Sequence, residues 1–137
     1  MGLVKAELEL INAGDLEVAR RGFMTEPEVR KISAEALVDS GAFMLVIPES
    51  MRLQLGLEPR EYKVAEYANG SVEKVPVVGP IEIRFANRRA TADAMVLGNE
   101  VLLGAIPMEA LDVVVHPRTQ RLIVNPENPT IPKMIVK

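Results

Sequence analysis

From Val4 to Leu10 apolar and charged positions alternate, with Val4, Ala6, Leu8 and Leu10 on one face and Lys5, Glu7 and Glu9 on the other. A period of two with charges on one side predicts a half-exposed β-strand. Asn12-Ala13-Gly14-Asp15 marks its end. Leu16 to Arg30 is mixed and charged, and is expected to be a loop or short irregular segment. Ile32 to Val38 predicts a second strand, which runs into Asp39-Ser40-Gly41, and Phe43 to Ile47 predicts a buried third. Pro48 suits the first position of a helix, Glu49 its positive end and Gly56 its close, so a short helix is expected there.

Tyr62 to Ile83 has the chemistry of a hairpin. Its arms are Val64 to Ala68 and Val72 to Val78, and Asn69-Gly70 offers two positions that tolerate positive φ in a tight turn. Gly79-Pro80 bends the chain into Ile81, Ile83 and Phe85, and Asn87-Arg88-Arg89 turns it back into Ala90 to Leu97. Val101 to Leu103 is a short buried strand stopped by Gly104, and Pro107 to Leu111 a helical turn. Asp112 to Val115 and Arg121 to Val124 flank a turn at Pro117-Arg118-Thr119-Gln120. The prolines at 126, 129 and 132 make the tail from Asn125 to Lys137 extended rather than helical. Many short strands, one or two short helices and frequent turns predict an all-β fold, a small barrel or sandwich.

Composition narrows the chemistry. A chain of 137 residues, 48 % hydrophobic and 26 % charged, is sized for one folded domain. Aromatics are only 4 %, so aliphatic side chains and methionines must fill the core. The absence of cysteine excludes disulfides, thiol catalysis and Cys-ligated zinc, and one histidine leaves no His-rich metal site. A net charge of −3 gives no reason to expect nucleic acid or anionic lipid as partners. The longest apolar run, Ala42 to Ile47, is far short of the roughly 20 residues that span a bilayer. The segment from Met1 to Glu7 lacks a signal peptide's apolar region. A cytoplasmic, soluble domain with no membrane partner is the expectation.

Carboxylates, hydroxyls and backbone amides remain to carry any reaction. Asp39 has the most unusual setting, between Ala36-Leu37-Val38 and the apolar run that begins at Ala42. A charge there must be hydrogen-bonded to offset its desolvation. Gly41 permits a tight turn that aims an N–H inward, and Ser40 supplies a compact hydroxyl. The plain alternative is an Asx-turn that merely ends a strand, for which Asp-Ser-Gly is ordinary composition.

The wider pattern resembles the retropepsin-like aspartic peptidases, in particular the short single-domain members of bacteria and archaea. Ala36-Leu37-Val38-Asp39-Ser40-Gly41-Ala42 is similar to that family's apolar-apolar-Asp-[Thr/Ser]-Gly-Ala signature. Val46-Ile47-Pro48-Glu49 and the helix ending at Leu55-Gly56-Leu57 continue it. Tyr67-Ala68-Asn69-Gly70-Ser71-Val72 stands where the family keeps its flap, and Val101-Leu102-Leu103-Gly104 matches its second signature. The likeness runs over residues 4 to 124. Phe43 departs from it, since many relatives have a small polar residue or Asp there, and the flap tip has one glycine instead of a glycine-rich run.

The resemblance implies an acid-protease-type β-barrel over residues 1–125 that forms a two-fold homodimer, with 126–137 a proline-rich tail and candidate interface strand. It implies an aspartic endopeptidase in which Asp39 from each subunit shares one site, one carboxyl protonated and the other activating water. Ser40, Gly41 and Ala42 would support that loop, with Ser40 bonding across the axis and Gly41 presenting its amide to the carboxylates. Tyr67, Asn69, Gly70 and Ser71 would close over an extended polypeptide substrate, and Leu102, Leu103 and Gly104 would pack beneath the active loop. No cofactor or metal is implied. A second reading keeps the barrel but not the catalysis, making it a dimerisation or peptide-binding module.

Other features are read plainly. His116 belongs to a surface turn. Arg20-Arg21 and Arg88-Arg89 are solvated turn charges, Glu26, Glu28 and Glu35 face solvent, and Met44, Met95 and Met108 fill the core.

Overall fold

Lys5–Asn12 (β1) pairs antiparallel with Lys31–Val38 (β2), in the computed structural model that describes residues 3–136. Ala6, Leu8 and Leu10 point inward along β1 while Lys5 and Glu7 face water, as the alternation requires. Further strands are Leu45–Ile47 (β3), Pro59–Glu66 (β4), Val72–Phe85 (β5), Arg88–Val96 (β6) and Val101–Leu103 (β7). Their order is β1-β2-β7-β3-β6-β5, and β5 returns to pair with β1, which closes a six-stranded barrel. The closure depends on β5 changing partners. Its first part, Val72 to Val78, pairs with β4, and Ile81 to Arg84 pairs with β1, the register shifting at Gly79-Pro80 in between. The outer strand β4 therefore leans off the barrel as one arm of a hairpin. Val113–Val115 (β8) and Leu122–Val124 (β9) form a separate small ribbon.

The wholly buried interior is aliphatic, with Leu8, Leu10, Leu45, Ile47, Leu55, Ile81, Ile83, Leu103 and Leu111 all nearly without exposure. Each such side chain stabilises the fold by about 1.5–3 kcal/mol through burial. Among the described residues no aromatic is fully buried in this core, and one, the partly buried Phe85, packs against it.

Among the described residues three α-helices occur instead of one or two: Ala13–Arg20 (α1), Glu49–Leu55 (α2) and Ala105–Leu111 (α3). The expected loop over 16–30 is thus corrected by α1 and a 3-10 turn at Glu26–Glu28. The cause is capping. Asn12 Oδ1 accepts the Asp15 N–H at 3.0 Å, Asp15 sits in the positive first turn, and Glu17 pairs with Arg20 at 2.6 Å and Arg21 at 3.2 Å. Pro48 proves to be the N-cap of α2, one residue before the helix, while Gly56 closes it at φ 65°.

Two other expectations change. The buried strand expected from Phe43 begins only at Leu45, and Phe43 is 74 % exposed. Arg88 is not a solvated turn charge: the turn falls at Ala86-Asn87, so Arg88 is the first residue of β6 and is 2 % exposed. Its guanidinium donates to the Asn128 carbonyl and lies 3.8 Å from Asp112 Oδ2. Arg89 is exposed and faces Glu82.

Asp112, just past α3, also holds the tail. Its carboxylate accepts from Asn125 Nδ2, Asn128 Nδ2 and the Lys133 N–H at 2.8–2.9 Å. The chain from 126 to 131 consequently passes through a turn and bends rather than running straight, and 132–136 form no strand. The candidate interface strand from Lys133 ends at Lys137, which lies outside the described residues.

These contacts contribute to the acid stability. Arg30 donates from its side chain to both oxygens of Asp15 at 2.8–2.9 Å, which holds that carboxyl below its ordinary range. The Lys133 amide, then Asn125, does the same for Asp112. A carboxyl depressed in the fold contributes stability that is complete above its unfolded pKa, about 3.9, and is lost as pH falls through the folded value. The melting temperature should therefore hold level from pH 7 to 5 and fall steeply below about pH 4. Asp15→Asn should lower it at neutral pH and flatten that acid slope; an unchanged slope would contradict the assignment.

Candidate active site

Asp39 leaves β2 at the point where its neighbour β7 also ends. The two strands are parallel, with Val38 opposite Leu103, and the Asp39 N–H donates to the Leu103 carbonyl at 3.0 Å. The chain then turns sharply: the Ala42 N–H returns to the Asp39 carbonyl at 3.1 Å, and the Gly41 N–H donates to Asp39 Oδ1 at 2.9 Å. One carboxylate oxygen is thus oriented by a backbone amide, and the side chain stays partly exposed. Ser40 is exposed, with no partner among the described hydrogen bonds of this chain.

The start of α3 grips the far side of this loop. The Ala105 N–H donates to the Ala42 carbonyl at 2.7 Å, and the Ile106 N–H to the Phe43 carbonyl at 3.0 Å. Amides at a helix start have no partner within the helix, so they are free to bind the loop. Gly104 lies between. A β-carbon there would stand 2.4 Å from the Met44 carbonyl oxygen and 2.7 Å from that of Ala42. Its φ of −85° suits any residue, so the close approach of the loop is what demands glycine. Leu103 is wholly buried and Leu102 partly so.

Above the loop stands the hairpin of β4 and β5. Only Gly70 takes a positive φ, of 86°, so the tip is not the two-residue turn expected at Asn69-Gly70. The Gly70 N–H donates to the Tyr67 carbonyl and the Tyr67 N–H to that of Ser71, a wider loop with glycine in its left-handed position. Asn69 Oδ1 accepts both the N–H (2.9 Å) and the hydroxyl (2.6 Å) of Ser71. Tyr67 donates its hydroxyl to Glu73 Oε1 at 2.5 Å, and that bond raises its pKa.

Between loop and hairpin lies a groove of about 710 Å³. Gly41, Ala42 and Phe43 form one rim, Met44, Val46, Met95 and Leu97 the floor, and Lys63 to Ala68 the other wall. Of the flap residues named from sequence, Tyr67 lines this groove, whereas Asn69, Gly70 and Ser71 do not. The wall is built instead by Lys63 to Glu66, along β4. Met44 and Met95, expected to fill the core, are instead only partly buried and line the groove, whereas Met108 packs against the core. The signal for β4 was present in sequence as a strand, but its face toward the groove depends on the lean of the hairpin.

His116 Nδ1 accepts the N–H groups of Arg118 and Thr119 at 3.1–3.2 Å, which ties down the turn between β8 and β9. Among the described residues no three metal-ligating side chains cluster, and no helix is long and apolar enough to cross a membrane.

Comparison with known proteins gives the class. A family model described as aspartyl protease matches residues 26–105, more than half of the chain, from just before β2 through β7 to the first residue of α3. The chain belongs to this family, of the retropepsin-like type. No curated protein matches it.

Proposed function

We propose that the chain is one half of an aspartic endopeptidase, a two-fold homodimer in which the Asp39 carboxylates of both subunits share a single site. The observation that carries this reading is the Asp39 loop. Its carboxylate is oriented by the Gly41 amide, its backbone is tied to Leu103, and the residues that follow it, Gly41 to Phe43, line a groove under a hairpin, Asp39 itself standing just outside that lining. General acid–base hydrolysis needs one carboxyl that holds a proton and another that takes one from water. Each chain supplies one such loop, so a second copy must supply the other. Ser40, exposed beside Asp39, would bond across the axis, and Ala42 would keep the loop anchored to α3. An extended polypeptide would lie in the groove beneath the hairpin around Tyr67, Asn69, Gly70 and Ser71, pairing by its backbone. Apolar residues 131 and 134–136 are well exposed, in keeping with a tail that meets a second subunit.

Shared catalysis makes activity depend on concentration. Specific activity against a peptide library should fall as the protein is diluted through its dimer dissociation constant, in step with the loss of dimer mass by light scattering. Constant specific activity in solutions that weigh as monomer would rule out the shared site.

A further inference from the structure

Phe43 is a large apolar side chain left 74 % exposed beside the Asp39 loop. The backbone of the loop is fixed there: the Phe43 carbonyl is held by the Ile106 N–H at 3.0 Å and that of Ala42 by the Ala105 N–H at 2.7 Å. Phe43 lines the groove together with Val64, Met44, Met95 and Leu97.

Of the polar side chains that line the groove, Glu66 is left without a described partner and the other two are engaged. Lys63 is paired with Glu61 at 3.3 Å, and the Tyr67 hydroxyl is bonded to Glu73. This part of the groove offers contact area rather than hydrogen bonds to a side chain, and methionines let it adapt to shape. We infer that Phe43 is the specificity-determining residue of the groove, selecting a bulky apolar side chain of the peptide next to the Asp39 loop. The inference rests on the peptide-binding reading of the groove and adds the residue that chooses among peptides.

The test uses fluorescein-labelled octapeptides that differ at one central position: Phe, Leu, Ala, Asp or Lys. Cleavage is followed with the unaltered protein, and binding by polarisation with Asp39→Asn, alone and combined with Phe43→Ala or Phe43→Leu. Phe43→Ala should weaken binding of the Phe and Leu peptides about ten-fold or more and leave the Ala peptide nearly unchanged, since losing apolar pocket area discriminates on that scale. Phe43→Leu should restore most of the preference. Equal affinities before and after Phe43→Ala, or a uniform loss across all five peptides, would overturn the inference. So would a change of dimer mass on Phe43→Ala, which would make the ring an interface contact. Selective binding without cleavage would sink the peptidase reading alone, and cleavage with an unaltered preference would sink this inference alone.

Discussion

Asp39→Asn should lower kcat/KM for peptide cleavage by about 10³-fold or more, while the dimer and the melting temperature stay close to those of the unaltered protein. The size follows from what is removed. General acid–base catalysis by a positioned group contributes about 10²–10⁴-fold, and in the proposed two-fold dimer one substitution removes both groups. Asn keeps the shape of Asp and still accepts the Gly41 N–H, which at 2.9 Å is the contact that orients the side chain. It can neither take a proton from water nor hold one for the leaving group. Partial exposure of Asp39 means that no buried charge is left unpaired. The measurement is steady-state cleavage of a fluorogenic peptide, with solution mass and thermal melting as controls. Undiminished cleavage would remove Asp39 from the reaction. An unaltered protein that binds peptides and cleaves none would favour the barrel as a binding module.

The second large effect is expected at Gly104. Gly104→Ala should destabilise the barrel by about 3 kcal/mol, near the upper end of what overpacking costs. For a domain of this size that is roughly a 10 °C fall in melting temperature. The new methyl would meet two backbone oxygens, Met44 at 2.4 Å and Ala42 at 2.7 Å, and backbone cannot swing aside as a flexible side chain can. Relief requires the loop after Asp39 to move away from α3. That movement lengthens the bonds from Ala105 and Ile106, so activity should fall more than the lost stability alone explains. Melting curves and cleavage rates measured well below the transition separate the two effects. A melting temperature equal to that of the unaltered protein would show that the loop relaxes freely.

How much of this could be read from the chain depends on the range of the interactions. The alternation over Val4 to Leu10, the Asp39 loop and the strand before Gly104 are written in neighbouring residues, and each lies where the pattern places it. The family signatures lie in the same segments that the family model covers. Helix α1 was also legible in principle, through Asn12 as cap and Glu17 with two arginines beyond it, but weak periodicity hid it. The fate of Arg88 was not legible. A hairpin turn displaced by one residue decides whether that guanidinium meets water or the carbonyl of Asn128, forty residues away.

The site divides along the same line. Local sequence alone determined a cysteine-free, aliphatic β domain in which carboxylates, hydroxyls and backbone amides remain to carry any reaction, with Asp39 in a glycine turn as the one distinctive candidate. Tertiary structure decided what surrounds it. β5 had to change partners for the barrel to close, and only then does its hairpin roof a groove. The first amides of α3 hold the Ala42 and Phe43 carbonyls, and Phe43, expected in a buried strand, is left exposed. Periodicity reports which residues share a face; which face meets a distant segment is settled by packing and chain closure, and those contacts join parts of the chain that no local pattern connects.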